Sequence, residues 1–215
     1  MGMSPFFFTT KYDQTLLLGR RARNASELAE GIAEIPAMSV YYHTHHFLEQ
    51  HHFLSPEPPN DFAYWATNVL NDDLLGEQLS SIDVIQCQTI EQIRELLLRV
   101  LDPYLAAAKH LADCPQGEDF HFMSCRTFTL PTPYSASSLD EFCVALEKVS
   151  VSSLYYHMFD ARLRPELGRN DFTIWFRDNS YKELAEALQN LDPYTYTLEG
   201  LRKTIVKLVR KYDRP

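Results

Sequence analysis

The sequence is short of glycine and cysteine, has no long apolar run, and carries no excess of positive charge. Its seven glycines form no phosphate-binding fingerprint at Gly19, Gly31 or elsewhere. Four cysteines, Cys87, Cys114, Cys125 and Cys143, lack Cys-x-x-Cys spacing and are too sparse for a disulfide scaffold, which points to a reducing cytoplasm. No stretch approaches the roughly 20 apolar residues that span a bilayer. The opening Met-Gly-Met-Ser-Pro-Phe lacks the basic flank of a signal peptide. A net charge of -9 repels phosphate backbones and argues against general nucleic-acid or anionic-membrane binding, leaving room for local basic patches. Gly-x-Ser-x-Gly and Cys-His-Asn signatures are missing too. The commonest enzyme classes legible in one sequence thereby fall away.

What the chain does have is a repeated vocabulary. Tyr41-Tyr42-His43 recurs as Tyr155-Tyr156-His157, and Asn60-Asp61-Phe62-Ala63-Tyr64-Trp65 recurs as Asn170-Asp171-Phe172-Thr173-Ile174-Trp175. At one constant step, Phe6-Phe7-Phe8 meets Phe120-His121-Phe122, Glu27 meets Glu141, and Ser39 meets Ser153. The expectation is an internally duplicated helical unit, residues 1–112 and then 113–215. Each copy alone would be marginal, so the two are expected to pack as one body. With 45% hydrophobic and 13% aromatic residues there is ample material for a core.

Periodicity and capping predict a mainly α fold with pseudo-two-fold symmetry and about five helices per copy. Asn24 with Glu27, Ser138 with Glu141, and Thr89 with Gln92 read as helix starts. Pro36 opens a second helix on which Val40, His43, Phe47 and His51 share a face, and Pro56-Glu57-Pro58-Pro59 ends it. Later helices are expected over 72–82 and 181–191, with last helices from Thr89 and Thr197. Two stretches have β character, residues 6–10 and 120–130, and these are expected to pair as a small β element.

Residues kept in both copies are first of all fold residues. Trp65 and Trp175 are expected to fill equivalent core pockets, and Asp61 and Asp171 to cap helices or accept from a Tyr or His. Arg94 and Arg202 are expected to pair with Glu91 and Glu199, and Arg20, Arg21 and Arg23 form a local positive patch. The sharper signal is histidine: five of eight, His43, His45, His46, His51 and His52, fall within one short segment. His43 and His46 lie at i and i+3, and the second copy offers His157 and Asp160 at the same spacing. If the second helices cross at the pseudo-axis, His43, His46, His157 and Asp160 form a ligand set for zinc, iron or manganese. The competing reading has His43 and His157 hydrogen bonded to carbonyls or to Asp61 and Asp171, with no cofactor. A small-ligand pocket is the third.

The phrases Ser39-Val40-Tyr41-Tyr42-His43-Thr44-His45, Pro56 to Trp65, Phe120-His121-Phe122-Met123 and Leu191 to Glu199 resemble a family of uncharacterised bacterial and archaeal proteins known only as a domain of unknown function. The resemblance covers nearly the whole chain. It implies a prokaryotic, cytoplasmic protein and supplies no activity, ligand or catalytic residue. Two functions are therefore weighed: a non-catalytic interaction or regulatory module that meets a protein partner or a second copy of itself, and a metal-dependent hydrolytic or oxidative enzyme built on the quartet.

Overall fold

The computed structural model describes residues 4–46, 49, 60–84, 87–164 and 169–213. His51, His52 and the Pro56–Pro59 loop lie outside these residues. The described residues are mixed α/β, with 58% in helix and 18% in strand. This corrects the expectation of a mainly α, internally duplicated domain. The finding that overturns it is a two-stranded antiparallel ribbon in which β1 (Phe6–Ala22) pairs with β2 (Phe120–Ala136), each 17 residues long.

The strands start where β character is expected and then run on through residues that carry no alternating pattern. Residues 14–19 of β1 and 126–131 of β2 are exposed on both faces, so neither buries an apolar side of the ribbon. Period-two patterning arises only when one face is buried, and these segments have none.

The chain divides into two compact units. One lies between Asp13 and Arg126, and the other takes the chain up to Tyr12 together with everything from Thr127 on. Each strand therefore begins in the unit built from the helices that follow the other strand. In the first unit, α1 (Ala25–Glu34) and α2 (Ala37–Tyr41) are followed by a π turn over Tyr42–His46, then α3 (Asp61–Asn68), α4 (Asp73–Ser80) and α5 (Ile90–Ala107). In the second, α6 (Leu139–Lys148), α7 (Val151–Met158), α8 (Asp171–Asp178), α9 (Lys182–Gln189) and α10 (Leu198–Tyr212) follow β2.

The helix starts are where the caps put them. Asn24 and Ser138 accept from the N–H groups of Glu27 and Glu141, whose carboxylates reach back to the N–H of Arg23 and Ser137. Thr89 and Gln92 close a capping box on α5. Asn60 and Asn170 cap α3 and α8 at 2.8 Å each. Asp61 and Asp171, one residue on, are thereby left for another task.

Aromatic side chains fill both interiors. Phe120 at the start of β2 stacks on Phe62 at 5.3 Å and meets Trp65 at 5.7 Å. Phe6 at the start of β1 meets Phe172 at 5.4 Å and Trp175 at 5.6 Å. Both tryptophans are buried, and their indole N–H groups donate to the carbonyls of Glu118 and Ser4.

Two arginines tie the last helix of each unit to the end of its first. Arg94 donates to Ile32 O and pairs with Glu91 at 2.7 Å. Arg202, only 7% exposed, donates to Leu146 O and to Val149 O at 2.7 Å while pairing with Glu199 at 3.1 Å. The guanidinium thus satisfies carbonyls at the end of α6 that have no helical partner. Arg202→Met keeps the aliphatic stem and removes the donors. We expect a loss of about 2–3 kcal/mol, read from the urea midpoint.

Candidate functional site: a serine and a histidine on each strand edge

The repeated Tyr-Tyr-His motif is part of a longer one, serine followed four residues later by histidine. Residues four apart on a helix face the same way, and here both address one residue of a strand. On the first unit's helix, Ser39 Oγ donates to Met123 O, and His43 Nε2 accepts from Met123 N–H at 2.9 Å. In the second unit, Ser153 Oγ donates to Thr9 O at 2.8 Å, and His157 Nε2 accepts from Thr9 N–H at 2.9 Å. The serine–histidine pair occupies the two backbone groups that a neighbouring strand would otherwise take, and so seals that point of a sheet edge.

The opposite ring nitrogens are held as firmly. His43 Nδ1 lies 2.7 Å from Asp61 Oδ2, and His157 Nδ1 lies 2.7 Å from Asp171 Oδ2. Because a backbone N–H can only donate, each Nε2 is the acceptor and each Nδ1 carries the proton toward its carboxylate. Both histidine side chains are at most 5% exposed. Asp171 also receives Arg164 at 3.1 Å, and that guanidinium lies 4.2 Å over the Tyr156 ring. The tautomer leaves no lone pair for a ligand unless a hydrogen bond to the strand is given up.

Of the four residues singled out as a metal set, His43 and His46 belong to one unit and His157 and Asp160 to the other. His43 and His157 are committed to their strands and aspartates. Asp160 Oδ2 pairs at 2.9 Å with the ammonium of Lys11, whose side chain is 1% exposed. His46 stands in a cluster with ligand spacing found among the described residues. Its Nδ1 is 3.5 Å from Asp13 Oδ2 and 3.7 Å from Glu49 Oε2. Asp13 gives no signal in the sequence, because it lies on a strand segment with no recognisable pattern. The π turn parts the two histidines that a regular helix would place together: a π turn carries more residues per turn, so His46 is carried round from His43.

The remaining sequence candidates fall to structural roles. His45 stacks on Tyr41 at 5.6 Å. The positive patch is answered by acids: Arg20 pairs with Glu34, Arg21 with Asp119, and Arg23 with Glu27 and Asp113. Burial pushes the Cys143 thiol up to about 11, which suppresses thiolate chemistry. An open groove of about 740 Å³ follows α10, lined in part by Glu147, Lys203, Lys207 and Arg210, and shares no residue with the histidines. Among the described residues no helix is long and apolar enough to cross a membrane.

These features define a class: a mixed α/β protein in which helix-borne Ser–His pairs, locked by aspartates, seal the edges of a long two-stranded ribbon. The chain belongs to the family described as "Family of unknown function (DUF5752)", which matches residues 3–210. It is similar to the solved structure "The structure of OrfY from Thermoproteus tenax", with 34% identity, 99% of this chain and 97% of that chain covered, and a TM-score of 0.83. That neighbour is archaeal, in keeping with a prokaryotic origin. No curated protein matches the chain.

Proposed function

We propose that the protein is a non-catalytic interaction module that pairs through β1 with a second copy of itself. The observation that carries this reading is the run Gln14 to Gly19, six consecutive exposed residues in which Leu16, Leu17 and Leu18 are 37%, 65% and 37% accessible. A strand in a two-stranded sheet keeps one edge outside the ladder, and an exposed, apolar edge is a template for another strand. The serine–histidine seals act at Thr9 and Met123, away from this run. On β2 the corresponding exposed run ends at Pro131, with Pro133 beyond it, and neither proline can donate to a ladder. No proline interrupts β1, so β1 is the edge open to pairing. Two antiparallel copies of one strand meet across a two-fold axis, the commonest oligomer symmetry.

A metal-dependent hydrolytic or oxidative enzyme on His43, His46, His157 and Asp160 is the weaker reading. It would require breaking the strand hydrogen bonds of two histidines and the Lys11–Asp160 pair. The dimer reading is tested by sedimentation velocity across micromolar to sub-millimolar concentrations. The wild type is expected to sediment as a dimer, and Leu17→Lys, which sets two ammonium groups near the axis, to weaken association by roughly tenfold or more. A wild-type monomer at the highest concentration would reject the reading.

A further inference from the structure

The second unit ends in a helix on which every exposed residue is a lysine or an arginine: Lys203, Lys207, Arg210 and Lys211 of α10. Residues 202–211 hold five of the chain's 20 lysines and arginines and no acid, in a protein that has 29 acids. Two of the five are answered, Arg202 by Glu199 at 3.1 Å and Arg210 by Glu147 of α6 at 2.9 Å. Among the described residues no acid pairs with Lys203, Lys207 or Lys211. These three stand at i, i+4 and i+8, so they form one row along the helix, with about 6 Å of axial rise between neighbours.

Neither the helix dipole nor the packing accounts for the row. Cations favour the last turn of a helix through its macrodipole, and Lys211 lies there, but Lys207 and Lys203 stand one and two turns earlier. The last helix of the first unit is anchored by Arg94 as α10 is by Arg202. It carries Glu95, Arg99 and Pro103 at the positions that follow Arg94 as Lys203, Lys207 and Lys211 follow Arg202. A helix can therefore dock through its arginine without a row of lysines.

The row borders the open groove of about 740 Å³, whose lining includes Val206 and Leu208 and, among the described residues, no aromatic side chain. Single-stranded nucleic acid is held by aromatic platforms under its bases, and the net charge of -9 repels a uniform polyanion from a distance. An aliphatic floor beside a row of ammonium groups suits instead a segment that mixes apolar side chains with carboxylates. A helix with Asp or Glu at every fourth position sets its carboxylates at the same rise as the lysines, leaving its apolar residues to face Val206 and Leu208.

We propose that the α10 groove docks an acidic, amphipathic helix of a partner protein, with Lys203, Lys207 and Lys211 pairing with its row of carboxylates. The contact uses no residue of β1 and is separate from pairing through that strand.

The probe is a fluorescently labelled, N-acetylated peptide of about 16 residues, long enough to form a helix, with glutamate at every fourth position and leucine and alanine between. Anisotropy with the full-length chain is expected to give a dissociation constant of roughly 10–100 μM at low salt, rising severalfold at about 300 mM salt. A counterpart with glutamine for glutamate should bind roughly tenfold more weakly. The double variant Lys203→Glu with Lys207→Glu should weaken binding of the glutamate peptide by roughly tenfold or more, and Lys203→Gln with Lys207→Gln by roughly fivefold. Both lysines are exposed, so thermal midpoints within roughly 3 °C of the wild type are expected. Lys109→Gln, exposed in the other unit, should leave binding unchanged. Absence of binding at about 1 mM peptide overturns the proposal, as does equal binding of the glutamate and glutamine peptides. Binding that survives both double variants also overturns it. A single-stranded oligonucleotide of about 16 nucleotides that binds through the same lysines more tightly than the peptide makes nucleic acid the occupant and overturns it as well. So does a sedimentation profile of the chain alone that changes with Lys203→Glu and Lys207→Glu, which would assign the groove to a second copy.

Discussion

Replacing His157 by alanine is expected to lower stability by about 3–5 kcal/mol. Three losses combine. The Thr9 N–H, now taken by Nε2 at 2.9 Å, is left facing a cavity, and an unsatisfied buried donor costs about 1–3 kcal/mol. Asp171 keeps Arg164 but loses the Nδ1 proton at 2.7 Å. The ring also leaves contacts with Phe6 at 4.9 Å, Phe172 at 5.5 Å and Phe8 at 5.9 Å. Urea denaturation gives the total, and hydrogen exchange at the Thr9 amide isolates the first part. His157→Phe retains most of the ring volume and none of the hydrogen bonds, so it should recover only the packing share. A loss below about 1 kcal/mol for His157→Ala would mean that water replaces the imidazole, and that the seal on β1 is not structural.

The same histidines show how far a single sequence reaches. Tyr-Tyr-His and Asn-Asp-Phe are legible as motifs because they bring together chemistry that must recur wherever a strand edge has to be sealed: serine and histidine one helical turn apart, then an aspartate just inside the next helix. The hydrogen bonds of His43 with Asp61 and of His157 with Asp171 are among the alternatives that residue types allow, beside buried carbonyls and a metal set. The strand atom that completes each site, the Met123 or Thr9 amide, is not among them. Backbone donors leave no trace in side-chain patterns, and the strands that carry them are hidden by exposure on both faces. Leu16-Leu17-Leu18-Gly19 lacks alternation, and Pro131 and Pro133 argue against a strand on β2. Caps are short-range signals and place α1, α5 and α6 from Asn24, Thr89 and Ser138, whereas at α3 and α8 residue types do not separate Asn60 from Asp61 or Asn170 from Asp171 as the cap. The π turn at Tyr42–His46 has no such signal. It reassigns His46 from the neighbourhood of His43 to that of Asp13, and so moves the ligand cluster to a place that helical spacing does not indicate.

Truncation of Phe122 should be as damaging as loss of the histidine, and it offers a sharper check on packing because a second site can undo part of it. Phe122 is fully buried, meets Phe120 at 5.0 Å, and lies against Gly31 of α1. Phe122→Ala is expected to cost about 3–5 kcal/mol through lost burial and the void left behind. Gly31 explains why a glycine persists inside a helix, where alanine would ordinarily add about 1 kcal/mol. A Cβ placed there would sit 2.0 Å from Phe122 Cζ, so the ring occupies the space that the methyl group needs. Gly31→Ala alone should therefore reverse the usual sign and destabilise by about 1–3 kcal/mol through overpacking. In the Phe122→Ala background the same methyl enters the vacated volume and the helix gains its propensity term, so the double variant should be more stable than Phe122→Ala alone. A double-mutant cycle in urea measures this coupling. Additive effects would show that α1 and the start of β2 do not meet at this contact. A favourable coupling of about 2 kcal/mol or more would show that Gly31 is selected by the aromatic ring it faces rather than by any demand of the backbone.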